Sequence, residues 1–487
     1  MERKKGTPLF CDLYHLTMAQ AMFDNNTHNR TETYEMFIRK TPFNGSYLLT
    51  AGLGEVLEWL NNWHFEPEDI EFLRQQGFKE SFLDMLSTAR LELDIDAFRE
   101  GEVVFPNEPI VRVTGPAWQA VMIEAAVLNI INSQSLFATK ASRIVQAASS
   151  DGKKRTVLEL GLRRSQDMQG FSPTRAAYIG GIDITSNVAA GQHYNIPVGG
   201  TMAHCFIMRE ESEKEAFKNY IRSFPKQASV LIDTYDTLEG AKQAVLASKE
   251  TGIPLKSVRL DSGDLAYLAK QVRKILDEND CHDTKITASN DLDEYTIQSL
   301  ILEQNAPIDV FGVGTMLVTS FDQPALGGVY KLKRTGQRDV IKVSELPIKT
   351  TIPGATDVVR LLDAKGNYAG DVICTDDHSF VNGDSLAEPL TSIDIRSEKG
   401  RRFIRGKRAY RPMIPVMRNG LVNETEMKRD LSEIRNYAQA NLNRLDETHK
   451  RLVSAHVYIA GLEHSLFIKR RELRTHALQG KEKQYEN

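Results

Sequence analysis

Ser257-Val258-Arg259-Leu260-Asp261-Ser262-Gly263-Asp264 is an apolar run that ends in charge, and Leu265–Glu278 behind it carries helical spacing. Strand, polar turn and helix in that order make one βα unit. The unit recurs. Strand-like runs stand at Thr156–Leu160, Tyr178–Ile184, Ile196–Gly200, Ser229–Asp233, Ser257–Leu260, Lys285–Ser289 and Ile308–Gly312, with a further helix at Leu238–Lys249. Their spacing of roughly 20 to 30 residues predicts an irregular (β/α) barrel; an open doubly wound sheet is the alternative. Arg163, Asp183, Thr201, Asp233, Asp261, Asn290 and Gly314 fall where the runs end. In a barrel those ends share one face, which is the working face.

Outside this core the pattern changes. Leu13–Met22 and Leu53–Trp63 have helical spacing and Thr31–Phe37 alternates like a strand. Val103–Pro116 is strand-like but interrupted by Pro106, Pro109 and Pro116, and Ala117–Gln146 is a long apolar helical stretch. Past residue 325, Gly328–Lys333, Val340–Val343, Val358–Leu362 and Tyr368–Cys374 suggest hairpins. Residues 424–478 read as two charged amphipathic helices with a weak break near Glu447. Four segments are expected: 1–130, 131–325, 326–423 and 424–487.

The chain has 487 residues, 41% hydrophobic and 26% charged, which fits a globular enzyme of more than one domain. A net charge of −4 leaves no footprint for nucleic acid or an anionic membrane. Cys11, Cys205, Cys281 and Cys374 show no paired spacing, so a reducing cytoplasm is expected. Met1-Glu2-Arg3-Lys4-Lys5 is basic, but no apolar stretch of a secretory leader follows. No apolar run approaches membrane-spanning length.

Several short motifs carry chemistry. Gly199-Gly200-Thr201-Met202-Ala203-His204 ends an apolar approach in two glycines, a hydroxyl and an imidazole. Glycine lets backbone come close to a phosphate, and histidine can accept a proton or a phosphoryl group. Arg259 and Asp261, two apart on a strand, point alike. With Asp264, Asp261 suits a Mg²⁺ ion or the hydroxyls of a ribose, and Arg259 suits a carboxylate or phosphate. The plainer possibility is that Asp261 or Ser262 caps the following helix. Phe311-Gly312-Val313-Gly314-Thr315 is either a backbone-amide phosphate cradle or a structural turn. Arg163 and Arg164 follow the first barrel strand and would meet a polyanion there, or else simply lie on the surface. Ser289-Asn290-Asp291 ends another strand and can cap a helix at Glu294. GxxxxGK[ST], GxSxG and HExxH are all absent.

In combination these motifs are specific. Glu159–Asp167 (ELGLRRSQD), Gly180–Asn187 (GGIDITSN), Gly199–His204, Arg259–Asp264 and Gly312–Thr315 occur in one order, after Asp12-Leu13-Tyr14. Together they resemble the nicotinate phosphoribosyltransferase family, from about residue 8 to about residue 330 and more loosely beyond. The resemblance implies an α/β fold: the irregular barrel, an α/β sandwich-like N-terminal domain, and a C-terminal hairpin and helical region. It implies condensation of nicotinate with phosphoribosyl diphosphate to nicotinate mononucleotide and diphosphate, in NAD biosynthesis. Mg²⁺ as cofactor, ATP as co-substrate and a phosphohistidine intermediate at His204 come with it.

His204 and Asp261 are the expected catalytic residues. Tyr14, Arg163, Ser186, Thr201 and Arg259 are expected toward nicotinate, and Arg164, Asp264, Asn290, Gly314 and Thr315 toward phosphoribosyl diphosphate. Asp261 and Asp264 are the metal candidates. Nicotinamide-using relatives carry an aspartate where Ser186 aligns, and its absence favours the acid. The resemblance also implies a head-to-tail homodimer in which Tyr14 completes the partner's site; otherwise Tyr14 is an aromatic buried beneath Leu13 and Leu16. The remaining alternatives are a nicotinamide- or quinolinate-using enzyme and a non-catalytic phosphosugar-binding barrel.

Overall fold

The computed structural model describes residues 6–344, 346 and 349–485; the basic pentapeptide Met1–Lys5 lies outside the described residues. The chain divides into two compact units, Phe137–Pro324 and a second made of Met1–Leu136 with Ala325–Asn487.

Phe137–Pro324 is built on six parallel strands: Thr156–Glu159, Ile184–Thr185, Ser229–Leu231, Ser257–Leu260, Lys285–Ala288 and Val310–Val313. Across the sheet they run Ile184–Thr185, Thr156–Glu159, Val310–Val313, Lys285–Ala288, Ser257–Leu260, Ser229–Leu231. The last strand in the chain therefore pairs with the first, which is the order of a barrel. One seam stays open, between Ser229–Leu231 and the segment Ile196–Gly200, which touches the sheet through the single bridge Thr185↔Val198. The α/β fold class is as the sequence predicts, in the form of a curled parallel half-barrel. Val157, Val230, Val258, Leu260, Ile286, Ala288, Phe311 and Val313 are buried, because helices cover the sheet and its strands can be apolar throughout. The helices Thr237–Thr251, Leu265–Asp277 and Glu294–Leu302 start alike: Asp236, Asp264 and Asp293 each accept a backbone N–H from the first turn.

Two strand assignments need correction. Tyr178–Ile184 is not one strand: Tyr178 and Ile179 end the helix Phe171–Ile179, a turn and loop follow through Asp183, and only Ile184–Thr185 is strand. A short buried apolar run has no periodicity that separates the two states. Ile196–Gly200 contributes a bridge and no strand. With the strand moved, Asp183 sits before it, and its Oδ2 accepts the Val157 N–H at 3.0 Å at the start of the neighbouring strand. Asp183 thus belongs to the opposite edge of the sheet from the other strand-end residues.

The second unit holds a seven-stranded antiparallel sheet in the order Arg338–Asp339, Gly328–Thr335, Thr31–Ile38, Val111–Pro116, Asp94–Phe98, Met413–Arg418, Leu421–Val422. Gly328–Thr335 pairs directly with Thr31–Ile38, so chain from beyond residue 325 completes the N-terminal sheet. That is why the expected segments 1–130, 326–423 and 424–487 merge. Val340–Val343 forms no strand; the hairpin partner of Gly328–Thr335 is Arg338–Asp339. A six-stranded mixed sheet contains the antiparallel pair Thr356–Leu362 and Tyr368–Thr375. The predicted pair of C-terminal helices is also corrected: Glu424–Met427, Leu431–Asn443, Glu447–Lys450 and His464–Tyr485 are helical, and Ala460–Leu462 is a strand parallel to Tyr368–Thr375. Leu462 is fully buried there, and that burial outweighs the charged surroundings that suggested helix.

Ala117–Ala148 is long and apolar enough to cross a membrane by length and composition alone, contrary to the sequence expectation. Its composition has a local cause. Trp118, Val121, Met122, Ala126, Val127 and Ile131 belong to the core of the second unit. Farther along, within the barrel unit, buried Lys140 and Arg143 pair with Glu294 at 2.6 and 2.8 Å.

Candidate active site

Parallel strands in register put their C-terminal ends on one edge, and the polar residues just past those ends form the site. Its centre is Arg259 and Asp261. Arg259 Nη2 donates to Asp261 Oδ1 at 2.9 Å, and Nε donates to Ser289 Oγ at 2.9 Å. The Ser289 hydroxyl in turn donates to Asp261 Oδ1. Nη1 of Arg259 is left without a partner among the described residues, so part of the guanidinium fork remains for an anion.

Asp261 Oδ2 faces His204, 3.8 Å from Nε2. His204 opens the short helix His204–Met208, and its Nδ1 lies 3.2 Å from Thr234 Oγ1. Behind Asp261, the buried Asp233 accepts the Asp261 N–H at 2.8 Å and the Ser262 hydroxyl at 2.6 Å, both on Oδ2. Asp233 Oδ1 has no partner among the described residues. Asp261 and Ser262 therefore do not cap the following helix; Asp264 does, accepting the Tyr267 N–H at 3.0 Å.

The motif glycines act through close approach. A Cβ at Gly199 would lie 2.9 Å from Ile184 Cγ2, while Gly199 N–H donates to Thr185 O at 3.0 Å. Space beside Gly200 is open, and Thr201 is half-buried with its hydroxyl turned to Met202 O at 3.2 Å. A Cβ at Gly161 would fall 2.3 Å from Val318 Cγ1, so the turn Leu162–Arg164 can pack on the helix Thr315–Val318 only with glycine at 161. Gly314 and Thr315 open that helix.

Arg163 and Arg164 are exposed and have no ion-pair partner among the described residues. Ser186 is half-buried, with its N–H on Glu159 O at 2.9 Å. Asn290 is exposed in a left-handed turn, φ 94°. All of these, with Asp264, Gly314 and Thr315, lie past the C-terminal ends of barrel strands, and Thr201 follows the bridge residue Val198. Tyr14 belongs to the other unit, on the helix Leu13–Asp24, and is 48% exposed, which excludes the buried-aromatic alternative within its own unit. Sequence reasoning misses Thr234; it reads Asp233 and Ser289 only as strand ends, Ser262 only as a possible helix cap, and Glu159 and Thr185 only as members of longer motifs. Their signal is positional: each is a polar residue at or just beyond the end of a parallel strand.

Family models match at residues 9–132 (nicotinate phosphoribosyltransferase N-terminal domain), 156–377 (the nicotinate phosphoribosyltransferase family) and 356–469 (C-terminal domain). The chain is 39% identical to nicotinate phosphoribosyltransferase of Bacillus subtilis over 460 residues, covering 92% of this chain and 91% of the other. It is 36% identical to the Dictyostelium discoideum enzyme of the same name, over 77% of this chain and 72% of that one. The crystal structure of human nicotinic acid phosphoribosyltransferase superposes with a TM-score of 0.80 at 27% identity, covering 95% of this chain and 99% of that chain. The chain belongs to the nicotinate phosphoribosyltransferase family.

Proposed function

We propose that this enzyme condenses nicotinate with phosphoribosyl diphosphate, coupled to ATP hydrolysis through a phosphohistidine at His204. The observation that carries the reading is the Arg259–Asp261–His204 arrangement at the working edge of the half-barrel. In the transfer, the bond from the ribose anomeric carbon to the diphosphate oxygen breaks and a bond from that carbon to the nicotinate ring nitrogen forms. Positive charge grows on the sugar while negative charge grows on the leaving diphosphate. The ring nitrogen carries a lone pair already, so no base has to remove a proton.

The free side of the Arg259 fork takes the nicotinate carboxylate, with Ser186, Thr201 and Arg163 supplying further donors. Asp261, anchored by Arg259 and Ser289 through Oδ1, presents Oδ2 toward the sugar and His204. Arg164, Asp264, Asn290, Gly314 and Thr315 serve the phosphoribosyl diphosphate; Oδ1 of Asp264 also caps its helix. Placing fixed donors where charge develops is what accelerates such a step.

The donor set also fits Mg²⁺. No three His, Cys, Asp or Glu side chains cluster as a cage among the described residues. Asp261 Oδ2 and the orphaned Asp233 Oδ1 offer one or two hard oxygens, and Mg²⁺ commonly takes that few when substrate phosphates supply others. When bound, the ion neutralises charge on the diphosphate.

The enzyme works as a dimer in which each Tyr14 serves the partner's site. Support comes from apolar exposure: Leu13, Tyr14 and Met18 are exposed on one helix, and Val188, Val198, Met208 and Tyr235 are exposed around the working edge of the barrel unit. Four free cysteines fit a cytoplasmic location. Nicotinamide is disfavoured because Ser186 offers no carboxylate to accept its amide N–H. Assaying nicotinate, nicotinamide and quinolinate with phosphoribosyl diphosphate tests the reading. Turnover of nicotinate alone is expected, and turnover restricted to nicotinamide or quinolinate overturns it.

A further inference from the structure

One buried carboxylate at this edge touches none of the groups assigned above and yet is bonded to the segments that carry several of them. Glu159 ends the strand Thr156–Glu159, is 1% exposed, and has no cationic partner among the described residues. Three donors from three places share it. The Gly161 N–H, at the start of the arginine turn, donates to Oε1. Thr174 Oγ1, on the helix Phe171–Ile179, and Thr185 Oγ1, at the end of the next strand, donate to Oε2 at 3.1 and 2.6 Å.

The bonds continue outward. Gly161 O accepts the Arg164 N–H at 2.7 Å, which closes the turn bearing Arg163 and Arg164. Glu159 O accepts the Ser186 N–H at 2.9 Å. Thr185 Oγ1, having given its proton to Glu159, accepts the Asn187 N–H at 3.0 Å. The Thr185 backbone pairs with Pro197 O and the Gly199 N–H, both at 3.0 Å, and so fixes the approach to Thr201 and His204.

We propose that Glu159 is a positioning residue that locks the Arg163–Arg164 turn, Ser186 and the Gly199–His204 turn into one wall of the substrate site. A carboxylate suits the task because all three partners donate and it only accepts. Glutamine would aim an N–H₂ group at one of the donors. Aspartate is one methylene shorter and cannot span to Gly161 and Thr185 together. A buried, fully satisfied polar cluster of this kind fixes geometry more firmly than apolar contact does. Misplacement of reacting groups by about 1 Å can cost a hundredfold in rate.

The inference rests on the proposed assignments of Arg163, Arg164 and Ser186, and steady-state kinetics of Glu159→Gln, Thr185→Val and Thr185→Ser separate the two. Wild-type turnover of nicotinate tests the functional reading by itself. With that in hand, Glu159→Gln and Thr185→Val are expected to raise KM for both nicotinate and phosphoribosyl diphosphate by about tenfold or more. Thr185→Ser keeps the hydroxyl and is expected to stay within about threefold of wild type. Soluble, folded Glu159→Gln and Thr185→Val with unchanged KM values overturn the proposal, as does a Thr185→Ser enzyme as impaired as Thr185→Val. Should Glu159→Gln not fold, the two Thr185 variants carry the test.

Discussion

Asp261 Oδ2 stands 3.8 Å from His204 Nε2, while the other oxygen of the same carboxylate is taken by Arg259 and Ser289. One carboxylate thus joins the groove proposed for nicotinate to the imidazole proposed to carry the phosphoryl group. Both side chains are partly open, Asp261 29% and His204 41% exposed, so each can be reached by a ligand.

Removing the Arg259 fork is expected to cost the enzyme its acid substrate. Arg259→Ala should lower kcat/KM for nicotinate by about 2–4 kcal/mol, or roughly 30- to 1000-fold. Arg259→Lys should recover little, since a single ammonium cannot serve Ser289, Asp261 and a carboxylate together. Initial-rate kinetics with nicotinate varied check it; unchanged turnover contradicts the carboxylate assignment.

Gly161 and Gly312 make a graded pair. A Cβ at 161 meets Val318 Cγ1 at 2.3 Å, and valine is stiff about χ1. A Cβ at 312 meets Leu160 Cδ1 at 2.5 Å, the far end of a longer side chain. Gly161→Ala is expected to cost about 1–3 kcal/mol by overpacking and to raise KM for phosphoribosyl diphosphate, because it shifts the helix opened by Gly314 and Thr315. Gly312→Ala should be milder in both respects, as thermal melts and KM measurements will show.

Far from the site, Arg360 is fully buried among Glu102, Asp371 and Glu108, at 2.6, 2.6 and 3.6 Å. Burial, with repulsion from Asp371, pushes the Glu108 carboxyl well above its ordinary value of 4.5. The folded pKa is the higher one, so this contribution to stability is complete below the unfolded value. It is lost as pH rises toward the folded value. Glu108→Gln, neutral at every pH, should therefore melt higher than wild type in alkaline buffer, and the gap should close as pH falls below about 4.5. A gap that widens toward acid contradicts the assignment.

Thiol chemistry should be selective. Cys205 is exposed, whereas Cys374 is buried and its thiol is held well above the usual range by that burial. Burial and Asp12 push Cys11 up to about 12. A maleimide at neutral pH should label Cys205 first and spare Cys11 and Cys374 until the protein unfolds, as read by peptide mass spectrometry.

Much of the working edge is legible in sequence because its chemistry is local. Arg259 near the end of the strand Ser257–Leu260 and Asp261 just past it stand two apart, and the glycines of Gly199–His204 announce a close approach that the Ile184 contact explains. What stayed hidden is long-range. Nothing near Asp233 signals that it supports Asp261 from 28 positions away, nor that Ser289 anchors Arg259 from a neighbouring strand. Tyr178–Ile184 misled because the end of one helix, a glycine turn and the start of a strand stand side by side there and read as a single apolar run. Ala460–Leu462 misled because three residues are too few to show a period, and parallel pairing with Tyr368–Thr375 decides their state.

The central claim is that His204 carries a phosphoryl group during turnover, and incubation with γ-labelled ATP tests it most directly. Acid-labile label on the wild-type protein is predicted, lost in His204→Ala and discharged from wild type when nicotinate and phosphoribosyl diphosphate are added. No label on an enzyme that turns over nicotinate with ATP, or label that survives His204→Ala, contradicts it.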